Sequence, residues 1–577
     1  MAGETMSKEA VVEMEDHVDI PPISAQLSDL PPGYFRSSLF LGSMAAVGIG
    51  LLAAISSFAL AAPILGVINE DIGPSSNISW VAIVYTLMIA VGLTIVGRFT
   101  DIFGRRHTFI GGAVLGVVGS IVCATAPTVG ALIAGMTLVG LAASTQVSYF
   151  YVTAELIPQK YRFLGNAIMY VFMIPGGAFA PAIANSCILH TPGGWRSTFY
   201  IVIAIQAAAL FCWVAFYRPP TFEMKHRDKT RREYLLKFDY IGTALFAGGL
   251  LCFLLGLSWG GAVHPWKSAH VLATIIVGGV SLIVFALWEL FARLEEPLVP
   301  MTLLASGPWT AAVVTSGIGA SLYYALTIVW PSMVAIVYPS GDLITDGLRA
   351  SIVGACWVSG EIVSGIVAKP VGGIKLQCIV TLTLAGVLLG CMATSDPDSS
   401  TRATVLLSFS CFLAGYVEGL SLTITTLALK DQQQMGAGCG FGGSIRFTIT
   451  TVATTIYTVV LSARLSATIP DQVPPALVSA GLPASSVAAF IGNLASGQSL
   501  ADIPGVTTSI IDAGIRAYRS ANADAYRTVF LSTIAFTGIG IITTLFLPNT
   551  DALMTDEVST TLHHKKDEKL ARAAAHV

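Results

Sequence analysis

Gly97-Arg98-Phe99-Thr100-Asp101-Ile102-Phe103-Gly104-Arg105-Arg106-His107 is a short polar stretch between two long apolar runs. Gly97 and Gly104 permit a tight reversal between two helices. Asp101 stands where its carboxylate can face a helix N-terminus. Arg105 and Arg106 supply positive charge at a membrane edge. The stretch therefore predicts a cytoplasmic loop that joins two membrane-spanning helices.

The composition is that of a membrane protein. Of the 577 residues, 54% are hydrophobic and only 11% are charged, whereas a soluble domain is about one quarter charged. The net charge of -3 gives no reason to expect a nucleic acid as partner. The nine cysteines are scattered, nearly all in apolar runs and without a CxxC pair, so they predict small core residues and no metal site.

Apolar runs of about twenty residues, the length needed to cross a bilayer, predict an all-α polytopic membrane protein with 14 transmembrane helices. The lipid bilayer is then an obligatory partner. The predicted spans, numbered 1 to 14, cover residues 38–66, 79–97, 107–126, 129–154, 164–189, 197–217, 240–259, 269–292, 307–330, 348–369, 375–394, 403–429, 441–463 and 526–547.

An even number of spans puts both termini on one side of the membrane. Most of the 31 lysine and arginine residues fall in the tails and in the loops on that side, which predicts cytoplasmic termini. The sequon Asn77-Ile78-Ser79 lies in the first outer loop of this topology. It predicts glycosylation of Asn77, although a lone sequon also arises by chance.

Repeated glycines indicate two related halves. The loop after span 10 carries Gly365 and Gly372 at the spacing of Gly97 and Gly104, with Lys369 in the place of Asp101. A basic linker after span 6 and an extra pair of spans separate these halves. The predicted parts are a disordered cytosolic tail 1–37, an N-terminal six-helix bundle 38–217, a basic cytosolic linker 218–239, an additional helix pair 240–293, a C-terminal six-helix bundle 294–547 with an outer loop 464–525, and a cytosolic tail 548–577.

Gly97, Asp101, Gly104, Arg105 and Arg106 resemble the signature loop of the major facilitator superfamily, roughly Gly-x-x-x-Asp-x-x-Gly-Arg-Arg/Lys. The usual basic residue after the aspartate is replaced by isoleucine. The resemblance implies the superfamily fold, with two six-helix bundles that open alternately to the two sides. It also implies that these five residues form a cytoplasmic gate, to which Glu155 at the end of span 4 is added.

Four further segments are similar to the fungal trichothecene efflux pump family, a fourteen-span branch that is also close to siderophore-iron transporters. This resemblance implies proton-driven export of a toxin or secondary metabolite across the plasma membrane, with a vacuolar membrane as the alternative. The segments are Tyr217-Arg218-Pro219-Pro220-Thr221-Phe222, Phe238-Asp239-Tyr240-Ile241-Gly242-Thr243, Gly256-Leu257-Ser258-Trp259-Gly260-Gly261 and Glu296-Pro297-Leu298-Val299-Pro300.

Glu361 in span 10 and Glu418 in span 12 are carboxylates predicted near mid-membrane. An ionisable side chain at that depth is costly and indicates function by default. The predicted role is proton coupling. The alternative is structural, with each carboxylate hydrogen-bonded to a serine, a threonine or a helix end.

Polar and aromatic side chains recur at helical spacing in spans 4 and 9 and predict the lining of a substrate cavity. Such a lining suits a bulky, oxygenated, largely neutral organic molecule, although the same side chains also serve helix packing. The predicted cavity residues are Gln146, Ser148, Tyr149, Tyr151, Tyr323, Thr327 and Trp330.

Gly176, Ala180 and Pro181 in span 5 are similar to the antiporter motif of drug exporters, a run of small residues around Gly-Pro. Small residues allow close helix contact, and proline weakens the local hydrogen-bond ladder. Where drug exporters usually carry an arginine in span 4, this chain has Met136. The glutamates of the second half are therefore the predicted proton carriers.

No cofactor is predicted. Gly438-Cys439-Gly440-Phe441-Gly442-Gly443 matches GxGxxG but joins two spans and follows no strand, which excludes nucleotide binding there. Arg446 beside it is interpreted as an anchor at the inner interface.

The sequence predicts a transporter and not an enzyme, because it shows no cluster of His, Asp or Asn for catalysis. A siderophore-iron importer of the same fold is the nearest alternative, and a membrane-embedded enzyme and a channel are more distant ones. The oligomeric state is left open.

Overall fold

The computed structural model describes residues 24–75, 77–225, 230–261, 263–495 and 498–563. Most of the predicted tail 1–37, the end of the tail 548–577, and Arg227 and Lys229 of the linker lie outside the described residues.

Within this part of the chain, fourteen helices are long and apolar enough to cross a membrane, which confirms the predicted all-α polytopic fold. They are α1 (Ser38–Ile72), α2 (Trp80–Phe103), α3 (Arg105–Ala124), α4 (Val129–Leu156), α5 (Gln159–His190), α6 (Arg196–Ala215), α7 (Tyr240–Trp259), α8 (Ala269–Phe291), α9 (Gly307–Val337), α10 (Leu343–Val371), α11 (Ile374–Thr394), α12 (Ser400–Leu427), α13 (Gln432–Ser479) and α14 (Thr508–Thr544).

The helices pack as two bundles with a pair beside them. Helices α1 to α6 pack on one another, and α9 to α14 form the second group. Helices α7 and α8 pack chiefly on each other, and α7 also contacts α2 and α13. Ile276, Val280 and Ile283 of α8 are exposed, as expected for a surface that meets lipid.

Glycines let the two bundles touch backbone to backbone. A Cβ added at Gly97 of α2 would collide with the carbonyl oxygen of Gly436 and lie 3.0 Å from the Cα of Gly440, both on α13. A Cβ at Gly365 of α10 would lie 2.6 Å from the Cβ of Ala167 on α5. The repeated glycines of the two halves therefore make corresponding contacts between bundles.

The turns after these helices also correspond. Gly104 ends α2 with φ of 90°, and Gly372 ends α10 with φ of 67°. Such left-handed backbone is readily adopted only by glycine, which explains the second glycine of each pair.

The predicted outer loop 464–525 is largely helical. Helix α13 continues through Pro470, Pro474 and Pro475 to Ser479, a short helix covers Ala484–Ala495, and α14 begins at Thr508. Proline normally interrupts a helix, which is why the sequence suggested a loop. Val473, Leu477, Phe490 and Ile510 bury one another in a separate apolar cluster, and this burial holds the extended helices together.

Both described ends of the chain meet on one side of the molecule. β1 (Ala25–Gln26) pairs antiparallel with β2 (Glu557–Val558). We call this side, which also carries the α2–α3 turn, the terminal face, and the other side the opposite face. Residues Thr555–His563, the C-terminal segment, run across the terminal face with Val558 and Ser559 no more than 1% exposed.

Candidate functional site

A small enclosed cavity lies between the two bundles. Helices α1, α4 and α5 form one wall, and α9, α10, α12 and α13 form the other. Its lining residues are Leu51, Ile55, Val147, Tyr149, Met173, Tyr323, Tyr324, Trp357, Glu361, Glu418 and Arg446.

Glu418 makes two polar contacts inside this cavity. Its Oε1 forms an ion pair with the guanidinium of Arg446, and its Oε2 accepts a 2.9 Å hydrogen bond from the indole Nε1 of Trp357. Glu418 is 2% exposed. Removing one member of such a buried pair leaves the other charge uncompensated, which costs about 3–5 kcal/mol.

Glu361 lies beside this ion pair and is also buried. Its Oε2 accepts no hydrogen bond from the described residues, whereas both oxygens of Glu418 have donors. Two carboxylates therefore share one cation, Arg446, in a water-poor pocket. With both carboxylates ionised, the group carries one uncompensated negative charge, and a proton on one of them would neutralise it.

Arg446 corrects the sequence interpretation. It does not anchor a helix at the membrane interface but is buried at the centre of the cavity. The helical stretch begins at Met435 and not at 441, so Arg446 lies about 16 Å along the helix axis from its start.

The cavity is closed in this conformation. Its volume is about 20 Å³, room for roughly one water molecule. A bulky substrate therefore enters only when the bundles separate on one side.

The predicted cavity residues divide into two groups. Tyr149 and Tyr323 line the cavity, whereas Gln146, Ser148, Tyr151, Thr327 and Trp330 do not. The Gln146 amide bonds that of Gln206 at 2.5 Å, and the Tyr151 hydroxyl donates to Ser148 at 2.7 Å. Thr327 donates to the Tyr323 carbonyl at 2.8 Å, and Trp330 donates to the Arg349 carbonyl at 2.8 Å.

Tyr149 and Tyr151 lie on opposite sides of one helical segment, Tyr149–Leu156, because residues two positions apart are turned by about 200° around a helix axis. Only one of them can therefore face the cavity. Tyr151 instead faces Arg105, whose guanidinium carbon lies 5.0 Å from its ring centre.

Asp101 joins the first bundle to the second on the terminal face. Its Oδ2 accepts a 2.7 Å hydrogen bond from the backbone N–H of Ala437, and its Oδ1 accepts one of 3.2 Å from Gly436. These groups stand at the N-terminus of the long helix in α13, which has no side-chain cap of its own. A carboxylate there satisfies unpaired N–H groups and faces the positive end of the helix dipole.

Arg105 orders this contact. It donates to Asp101 at 3.1 Å and forms a second ion pair with Glu155. The predicted gate residues Gly97, Asp101, Gly104, Arg105 and Glu155 thus lie together, with the turn at Gly104 setting the position of Arg105.

Arg106 lies apart from this group and donates to the carbonyl of Val214 at 2.9 Å. Lys225 of the linker faces Asp101 and Glu155, and burial lowers the pKa of its ammonium group.

Arg162 makes contacts between the bundles that the sequence did not predict. It donates to the Thr426 carbonyl at 3.2 Å and to Gln432 at 2.8 Å in the second bundle, and to the Ser559 hydroxyl at 3.1 Å in the C-terminal segment. Its only sequence signal was a basic residue in a polar turn.

The C-terminal segment completes the terminal face. The N–H of Thr560 donates to the Glu155 carbonyl at 2.9 Å, and that of His563 donates to the Arg218 carbonyl at 3.1 Å. Because Ser559 and Gln432 both bond Arg162, the segment lies over the junction of the two bundles.

The small-residue motif of α5 packs against α1, towards the opposite face of the molecule. Residues Ile174–Ala178 form a π-helical turn, and Pro181 follows as the helix resumes. A Cβ on Gly176 would collide with Ser56 of α1. Ala180 is fully buried. Further along α5, the Asn185 amide donates to the Leu343 carbonyl of α10 at 2.9 Å.

Asn77 is exposed in the turn that precedes α2, on the opposite face.

Among the described residues, no group of three or more metal-binding side chains occurs.

Two bundles of membrane helices around a closed polar cavity define a transporter of the major facilitator superfamily. Among solved structures, the proton:xylose symporter XylE has a TM-score of 0.53 at 14% identity, covering 91% of this chain and 99% of that one. The human organic anion transporter MFSD10 (TETRAN) also has a TM-score of 0.53 at 14% identity, covering 88% of this chain and 100% of that one.

The family described as Fungal trichothecene efflux pump (TRI12) matches residues 7–573, and the chain belongs to that family. A trichothecene efflux pump of Fusarium sporotrichioides is 28% identical over 96% of this chain and 93% of its own length. One from Trichoderma arundinaceum is 30% identical over 72% of this chain and 70% of its own. Multidrug resistance protein 3 of Bacillus subtilis is 22% identical over 66% of this chain and 71% of its own length.

Proposed function

We propose that this protein is a proton-coupled secondary transporter that exports a bulky organic toxin, drug or secondary metabolite by alternating access. The observation that carries the proposal is the buried group of Glu418, Arg446 and Glu361 inside a closed cavity between two bundles. Its family membership as an efflux pump supports the direction of transport.

Protonation of Glu418 is the proposed switch. A neutral carboxyl group attracts Arg446 far less than a carboxylate does, and the low dielectric of the cavity enlarges that difference. Glu361 lines the same cavity, and we propose that it receives Arg446 or holds the proton in turn. Since Arg446 is then no longer fixed by Glu418, its helix is free to shift.

Helix α13 connects the switch to the gate. It carries Arg446 at the cavity and Gly436 and Ala437 at the contact with Asp101. A displacement of this helix at Arg446 therefore acts directly on the hydrogen bonds that close the terminal face. This is the two-state element that the proposal requires.

The cavity lining suits an apolar or aromatic guest with few charges. Tyr149, Tyr323, Tyr324 and Trp357 present rings, and Leu51 and Ile55 present aliphatic surface. The Tyr323 hydroxyl has no hydrogen-bond partner among the described residues. It is therefore available to an oxygen atom of the substrate.

We propose further that the terminal face is cytoplasmic and that the protein lies in the plasma membrane. The excess of lysine and arginine on the terminal side supports this orientation. It puts Asn77 outside the cell, where a sugar chain on this exposed residue would be accommodated.

The test uses proteoliposomes that contain the purified protein, an imposed pH gradient, and labelled trichothecenes, other fungal toxins and ferric siderophores. Movement of a toxin against its own concentration gradient, driven by the pH gradient and stopped by a protonophore, supports the proposal. Transport of ferric siderophore alone would replace the exporter by an importer. Gradient-driven transport that survives in E418Q would refute the switch, with the exposed Glu70→Gln as the matched control.

A further inference from the structure

The additional helix pair contains two buried carboxylates outside the central cavity. Asp239 precedes α7 and is 5% exposed, and Glu289 near the end of α8 is 9% exposed. Asp239 Oδ2 and Glu289 Oε2 both lack a hydrogen-bond donor among the described residues. The two carboxylates nevertheless lie side by side, since Trp288, whose indole donates to Asp239, directly precedes Glu289.

The other oxygen of each carboxylate is fully engaged. Asp239 Oδ1 accepts from the Gly242 N–H at 2.8 Å and from the Trp288 indole at 3.0 Å. Glu289 Oε1 accepts from the N–H groups of Leu298 and Val299 at 3.0 and 3.3 Å. Both side chains are therefore fixed in position beside each other, each with one oxygen that has no donor among the described residues.

Two ionised carboxylates have only acceptor atoms, so they cannot form a hydrogen bond with each other. One proton between them changes this, since a carboxyl group donates to a carboxylate. We propose that Asp239 and Glu289 share one proton and form a second proton-binding site, separate from the central cavity.

The neighbouring charges do not replace this proton. Lys237 is paired with Glu295 at 2.6 Å in an exposed position. Arg98 of α2 is paired with Glu296 at 2.5 Å. Asp239 is the charged group beside Glu289 on the neighbouring helix of the pair. Lys237 and Arg98 thus already have a carboxylate each, and one proton halves the negative charge of the remaining pair.

The site fixes the segment Glu296–Val299 relative to the gate. Glu289 holds the N–H groups of Leu298 and Val299, and Arg98, one turn of α2 before Asp101, holds Glu296. The shared proton therefore ties the additional helix pair to the helix that closes the terminal face. Loss of that proton loosens this tie.

The pH dependence has a definite sign. In the unfolded chain, both carboxyl groups are ionised above about pH 5, whereas the folded pair keeps one proton. The stability that this proton supplies is complete at low pH and is lost as pH rises through the titration of the pair.

The experiment measures thermal unfolding of the purified full-length protein in detergent from about pH 5.5 to pH 8.5, across the titration range of the pair. The variants are E289Q, whose amide donates permanently to Asp239, and the exposed E295Q as control. We expect Tm to fall with pH in the wild type and in E295Q. In E289Q, the fall should be reduced by about half or more, because its donor does not titrate.

An infrared spectrum gives a second readout. The wild type should show a carboxylic acid C=O band, and both E289Q and D239N should lose the component that belongs to this pair, whereas a component from the cavity carboxyl groups remains. Identical pH profiles of wild type and E289Q, or an unchanged acid band in both variants, would overturn the proposal. Stabilisation of the wild type at high pH by sodium but not by choline chloride would also overturn it, in favour of a bound cation.

If neither variant folds, the wild type decides alone. A Tm that does not fall between about pH 6 and pH 8 would contradict a shared proton.

Discussion

The carboxylate of Asp101 in the first bundle accepts a 2.7 Å hydrogen bond from the backbone N–H of Ala437 in the second. This contact crosses the plane along which the two bundles must separate. Asp101 also holds Arg105, so one side chain orders its own loop and caps the helix of the partner bundle.

Replacement of Asp101 by Asn removes the charge and keeps one acceptor. The closed terminal face should lose about 1 kcal/mol of stability relative to the open one. Its population relative to the open state should then fall about five- to tenfold. It is measured as faster maleimide labelling of Cys439, which is fully buried beside the contact, in a variant where Cys439 is the only cysteine. Unchanged labelling with normal transport would contradict the gate.

Replacement of Glu418 by Gln keeps an acceptor for Trp357 and leaves Arg446 without its carboxylate. We expect the pH-driven transport rate to fall at least about tenfold and the protein to lose about 3 kcal/mol of stability. The double variant E418Q/R446Q should regain stability but not transport. Thermal unfolding and liposome flux separate the two effects, and recovery of both would show that the ion pair is only structural.

Gly97→Ala puts a methyl group against the backbone of Gly436 and Gly440. The bundles then cannot close fully, and we expect transport to fall about tenfold or more while the protein still folds, since alanine favours a helix by about 1 kcal/mol. Gly111→Ala is the control, because nothing lies within 4 Å of its added Cβ. Equal activity of both variants would argue against backbone contact at Gly97.

Deletion of residues 555–577 removes the C-terminal segment from the junction of the bundles. Its hydrogen bonds to Glu155 and Arg218 are each worth about 1 kcal/mol at most, partly offset by the ordering of the segment. Substrate affinity from the terminal side should therefore rise a few-fold, because the open state becomes easier to reach. Val558→Asp, a charge at a fully buried position, should reproduce the effect; a lower affinity in both variants would contradict it.

The sequence was sufficient for the fold because the fold depends on local signals. Apolar length predicted the spans, and the glycines at 97, 104, 365 and 372 marked the contacts and turns by conformational demands that only glycine meets. The gate residues were predicted from the same polar stretch that contains Gly97 and Gly104. Glu361 and Glu418 were identified because a carboxylate in an apolar run is costly wherever it lies.

What failed depended on helix phase and on distant contacts. Tyr151 lies on the side of its helix opposite to Tyr149 and faces Arg105, and the early start of α13 moved Arg446 into the cavity. Neither is visible in composition. The contacts of Arg162 and the C-terminal segment join residues hundreds of positions apart, and no local pattern predicts such pairing.

The C-terminal segment follows the fourteen described membrane helices in the chain, so it is synthesised after them. Until then, β1 has no partner strand, and the Arg162 side chain lacks Ser559. A chain that has not yet reached this segment therefore lacks these contacts on its terminal face. The hydrogen bonds that fasten the closed terminal face are complete only once the C-terminal segment has been synthesised.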